Sequence, residues 1–111
     1  MMLSRDEAHR FLNKLGENSS KIISIFATRF GTVVFEGCIT KVSPGEVELQ
    51  ATGEVLRSVV SIPDDARFEY GDSREASDRD APFFQKKFGT IEGVLTIYLS
   101  ETDSLLLFER S

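Results

Sequence analysis

A chain of 111 residues is expected to form one domain, and 41% hydrophobic with 28% charged residues is the make-up of a folded protein, not a disordered one. Its net charge of −5 and pI near 4.9 oppose non-specific binding to nucleic acid or anionic membrane, because such binding is driven by phosphate neutralisation. One cysteine, Cys38, and one histidine, His9, exclude an internal disulfide, a cysteine zinc cage and a histidine metal cluster, so no metal or cofactor is expected.

The opening residues, MMLSRDEAHRF, place no apolar stretch behind a basic start, so no secretory signal is expected. No apolar run reaches the roughly 20 residues that span a bilayer, and the cytoplasm is the expected compartment. Residues 4–16 carry a helix signature. Ser4 and Glu7 fit a capping box, Asp6 and Glu7 occupy the first turn, and Lys14 the last. Ala8, Phe11, Leu12 and Leu15 line one apolar face, Leu3 is placed to staple onto Ala8, and Gly16 suits the left-handed position that ends helices. His9 falls on the polar side. The helix is expected to close one end or face of a sheet.

Residues 17–20 read as a polar loop, and 21–70 as a succession of short strands. From Ile22 to Phe30, Ile23, Ile25 and Ala27 point one way while Ile22, Phe26 and Phe30 point the other. Gly31 permits a turn. From Thr32 to Val42, alternation puts Val34, Cys38 and Val42 on one face and Val33, Phe35 and Ile39 on the other. Gly37 in mid-strand signals a bulge, a bend or a close approach of another backbone. Cys38, without a nearby His or Asp, reads as a small buried hydrophobe. Ser43-Pro44-Gly45-Glu46 is a turn, and Val47, Leu49 and Ala51 form the inner face of the next strand. Thr52-Gly53 turns the chain into a strand from Val55 to Ile62, and Arg67 to Tyr70 adds a short one after Asp64-Asp65.

Residues 71–89 divide into a polar loop, GDSREASDRD, and a short helix over APFFQKKFG, capped by Asp80 and stopped by Gly89. The acids of the loop lack the spacing and central Gly of a calcium site. Phe83, Phe84 and Phe88 with Lys86, Lys87, Arg74 and Arg79 form the candidate interaction surface. Residues 91–110 close the chain as a hairpin: Gly93 to Leu99, a turn at 100–103, and Ser104 to Glu109. Leu105 to Phe108 are apolar on both faces, and such a strand must be paired to avoid an aggregating edge.

No phosphate-cradling glycine loop, metal-ligand pair or nucleophile elbow is present, and a catalytic function is not expected. The stretch ISIFATRFGTVVFEGCITKVSPGEVEL, residues 23–49, resembles the first motif of the Sm-like family. Gly31, Phe35, Gly37, Ile39, Val47 and Leu49 occupy matching places, behind an N-terminal helix. This resemblance covers residues 4–62 and implies a small barrel that assembles into rings. The Arg-Gly and Tyr-Lys-His signatures of uridine binding have no match, so no RNA-binding residue carries over. The expected fold is mainly β: a small, strongly bent antiparallel barrel or roll of six or seven strands, with an N-terminal helix and a C-terminal hairpin, a β-sandwich being the alternative.

The leading functional expectation is a non-catalytic binding or assembly module acting through a protein partner or as a homo-oligomer. Its first alternative is an RNA-binding barrel using Arg29, Arg57 and the cations of 74–87 beside phenylalanines. Its second is a small-ligand binder or enzyme with 71–88 as a lid.

Overall fold

The computed structural model describes residues 1–18, 21–53, 56–72, 91 and 93–109. Among them run β1 (Met2–Leu3), α1 (Arg5–Glu17), β2 (Ile22–Thr28), β3 (Gly31–Ser43), β4 (Glu46–Ala51), β5 (Arg57–Ser61), β6 (Arg67–Gly71), β7 (Val94–Tyr98) and β8 (Ser104–Glu109). The strands make one antiparallel sheet in the order β1-β6-β7-β8-β2-β3-β4-β5. The expected barrel of six or seven strands is therefore an open sheet of eight. β1 and β5 stand at its two ends and do not pair.

The helix starts as its sequence dictates. Ser4 Oγ accepts from the Glu7 backbone N–H at 3.1 Å, and Glu7 Oε1 accepts from the Ser4 N–H at 3.0 Å, so two of the first turn's unpaired donors are satisfied reciprocally. The other terminus departs from expectation. Gly16 remains helical, and Asn18 is the C-cap in right-handed backbone, its N–H donating to Gly16 and Lys14 carbonyls. Ile39 lies beside Gly16, where an added Cβ would sit in ordinary contact, 3.5 Å from Ile39 Cγ2. Leu3, read as a staple, also belongs to β1, where it pairs with Phe68 of β6.

Ala8, Leu12 and Leu15 of α1 press onto one face of the sheet, meeting Ile22, Ile39, Leu49 and Phe68 in the main core. The C-terminal hairpin lies inside the sheet. β8 is held between β7 and β2, and these three strands are apolar on both faces, as buried central strands are. Their opposite face carries a second cluster that includes Ile23, Ile25, Val94, Leu106 and Phe108.

Two details of β3 differ from simple alternation. The bulge falls between Ile39 and Lys41, not at Gly37, and adds Thr40 to the strand. That extra residue turns Val42 to the core side, opposite Val47, whereas alternation alone puts it with Val34 and Cys38. Gly37 marks a close backbone approach: a Cβ there would overlap the Gln50 carbonyl. Cys38 is half-buried and not fully enclosed. Phe30, expected to continue β2, sits in the β2–β3 turn and is 86% exposed.

Arg5 joins the two ends of the open sheet. Its guanidinium donates to the Pro44 carbonyl at 2.7 Å and to the Pro63 carbonyl at 2.5 Å, and lies over the Phe68 ring at 5.4 Å. Pro44 is in the β3–β4 turn, Pro63 follows β5, and Arg5 itself follows β1. His9 reinforces this end. Its ring nitrogens lie 2.8 Å from the Arg5 carbonyl and 2.9 Å from the Ser43 carbonyl, so it is half-buried against β3 and not free on a polar face.

Candidate functional site

The helix covers only part of the face it packs on. Beyond its reach, the same face opens as a cleft of about 500 Å³ to which no α1 residue contributes. Register shows how the strands build it. Phe26 of β2 lies between Val33 of β3 and Leu105 of β8, and Ser24 lies between Phe35 and Leu107. Phe26, Val33, Phe35 and Leu105 thus share one wall. Phe26, Phe35, Val60 and Leu99 are only partly buried and pack on the main core, so the cleft is an uncovered extension of it.

The opposite wall is β5, which supplies Ser58, Val59, Val60 and Ser61. Alternate side chains of a strand point to opposite faces, so four consecutive residues meet one cavity only where it runs along the strand's edge. That edge is free, because β4 is the sole strand partner of β5 among the described residues. Exposed apolar side chains flank it. Val33 is 61% exposed, Val59 54% and Leu56, just before β5, 59%.

The β7–β8 turn forms the rim through Leu99 and Asp103. The Asp103 carbonyl accepts from the N–H groups of Leu99 at 3.0 Å and Ser100 at 3.2 Å, while Ser100 Oγ accepts from the Thr102 and Asp103 N–H groups. These bonds fix the turn and with it the Asp103 carboxylate, which accepts from Thr102 Oγ1 at 3.1 Å. Among the described residues, Asp103 supplies the one ionisable side chain in the lining. Chemically, this is a surface that removes apolar groups from water and offers three serine hydroxyls and one negative charge. A second, more open hollow of about 330 Å³ lies by β1, where Phe11 meets Tyr70 edge to face at 5.1 Å.

The candidate surface drawn from the sequence, Arg74, Arg79, Phe83, Phe84, Lys86, Lys87 and Phe88, lies outside the described residues, as do the short helix and most of the polar loop. Of the cations invoked for RNA, Arg29 stacks over Phe30 at 4.7 Å in the β2–β3 turn. Arg57 faces Glu48 across strands at 3.4 Å. Neither lines the cleft. The cleft residues themselves were readable only in part. Alternation puts Val33 and Phe35 on one face with Ile39, but nothing in the pattern says where along that face the helix stops.

Among the described residues, no group of three or more His, Cys, Asp or Glu side chains is placed to hold a metal ion, and no helix is long and apolar enough to cross a membrane. The fold and site define an antiparallel open sheet with one helix over part of a face and an apolar cleft over the remainder. Comparison with protein-family models, curated proteins and solved structures finds no match for this chain.

Proposed function

We propose that this chain is a non-catalytic binding module that works through protein–protein contact, with the cleft and the neighbouring β5 edge as its contact surface. The observation that carries this reading is the coincidence of the 500 Å³ apolar cleft with a strand edge that has no strand partner among the described residues. Sealing Val33 and Val59 from water supplies a driving force of about 1.5–3 kcal/mol for each side chain fully buried. Three hydroxyls and one carboxylate, counted among the described residues, stand around apolar walls and give orientation and selectivity.

The neutral, environment-sensitive dye Nile red tests whether this surface takes apolar partners. Val33→Glu puts a charge on the wall at an exposed position, where substitution leaves stability within about 0.5 kcal/mol. Saturable, blue-shifted fluorescence with the native chain and its loss in V33E is the expected outcome. Equal fluorescence in both removes the cleft as the contact surface.

A second reading, self-association, draws support from the same free edge of β5 and from the assembly that the Sm-like resemblance implies. Light scattering over a rising concentration series separates the two. A species that stays monomeric throughout removes the ring.

A further inference from the structure

We infer that the cleft takes an extended peptide segment that adds as a strand to the free edge of β5 and carries a lysine or arginine to Asp103. This rests on the proposed reading of the cleft as a contact surface and names the class of partner.

The edge geometry selects the ligand's backbone. Because β5 meets the cleft with four consecutive residues, an occupant lies against the strand's edge N–H and C=O groups, which no other strand among the described residues pairs. A compact apolar molecule would cover those groups without pairing them, and unpaired backbone groups removed from water are unfavourable. An extended peptide supplies matching donors and acceptors along the whole edge. Its alternate side chains then point into the cleft, toward Phe26 and Phe35, which is how strand addition obtains selectivity. Five residues of β5 span about 17 Å, so the segment that pairs is about five or six residues long.

Charge selects its side chains. Among the described residues of the lining, Asp103 is the one ionisable group, and its turn holds it at the rim. A cation is its complement, and apolar neighbours along the segment complement the walls. A second copy of this chain fits less well. Two copies each carry −5, and the one cation of β5, Arg57, already faces Glu48 at 3.4 Å. Pairing β5 with itself therefore brings no unengaged positive charge to Asp103.

Selection of random dodecapeptides displayed on phage against the immobilised native chain, followed by resynthesis of the enriched peptides, tests this. The expected peptides alternate apolar and polar residues, with Lys or Arg at a constant offset. N-methylation of every second backbone amide weakens binding about ten-fold or more in one of the two alternating sets and spares the other, since only one set faces β5. Asp103→Asn weakens the lysine peptide up to about five-fold and leaves its norleucine version unchanged.

Affinity that survives both N-methylated sets, yet is lost in V33E, overturns strand addition while leaving the cleft as the contact surface. Enrichment of no peptide does the same where Nile red still distinguishes V33E from the native chain. A dimer that V33E dissociates assigns the cleft to a second copy and overturns the inference. Peptides that bind V33E as tightly as the native chain overturn the contact-surface reading itself.

Discussion

Followed along β3, one face of one strand passes from closed to open. Ile39, under the helix, is 5% exposed, Gly37 is buried, Phe35 is half-buried, and Val33, in the cleft, is 61% exposed. The alternation is the same at both ends, and so is the residue chemistry. What differs is the neighbour: Leu12 and Leu15 of α1 reach the main core, whereas no α1 residue reaches the cleft. An apolar strand face thus becomes core or open cleft according to what lies over it. The two halves are one continuous layer, divided by the end of a thirteen-residue helix.

Substitutions in the two halves therefore have unequal consequences. Leu49 is fully buried beneath the helix, and Leu49→Ala is expected to lower unfolding free energy by about 2–5 kcal/mol in a denaturant titration. V33E, on the same sheet face, shifts the midpoint little and affects binding instead. Similar destabilisation by both would erase the distinction between core and cleft.

The next effect concerns what keeps the covered half shut. Arg5→Ala removes two charge-assisted hydrogen bonds to Pro44 and Pro63 carbonyls and the contact over Phe68. A loss of about 2–3 kcal/mol is expected, with Arg5→Lys recovering only part because an ammonium lacks the planar fork that reaches both carbonyls. Full recovery by lysine would show that charge alone, and not the bridge, matters. Gly37 lies between the halves. Gly37→Ala forces a Cβ against the Gln50 carbonyl, which belongs to the neighbouring strand and has little room to withdraw. A loss of about 1–3 kcal/mol follows, seen as a lower thermal midpoint. Gly45→Ala, with open space at its Cβ, is the comparison that isolates the clash.

The sequence made the covered half far more legible than the cleft, for physical reasons. The capping box of Ser4 and Glu7 is a local signal, as is the 3.6-residue spacing of Ala8, Leu12 and Leu15, and both survive into the fold. The apolar run Leu105 to Phe108 called for a paired strand, and β8 pairs on both sides, with β7 and β2. Of the three readings that Gly37 allowed, a bulge, a bend or a close approach of another backbone, the close approach is the one found. The departures come from information that is not local. Thr40 has no feature that marks a bulge, yet it decides on which side Val42 lies. Nothing about Arg5 in sequence distinguishes it from a surface cation, because its acceptors are carbonyls 39 and 58 residues away. Barrel closure failed as an expectation for the same reason: alternation specifies faces, and says nothing about whether the first and last strands meet. The cleft is lined by residues of β2, β3, β5, β8 and the β7–β8 turn, far apart in the chain, so its position could not be read before the strand order was known.

The smallest effect tests how firmly the helix, and so the border of the cleft, is anchored at its first turn. The Glu7 carboxylate is held below the usual carboxylate range, chiefly because it accepts the Ser4 backbone N–H, then through the Ser4 hydroxyl. A carboxyl group whose folded-state value is depressed binds its proton more readily when the chain unfolds. Its stabilising contribution is therefore complete above the unfolded value of about 4.3, and is lost as pH falls through the lower folded value. Glu7→Gln keeps an oxygen that accepts from Ser4 but removes the ionisation. The native chain is expected to exceed E7Q slightly in denaturant midpoint at pH 7, with the gap closing as pH falls toward 3. A gap that stays constant over this range would mean that the carboxylate charge contributes nothing to the cap. The first turn would then be held by its uncharged hydrogen bonds with Ser4 and by the packing of Ala8, Leu12 and Leu15.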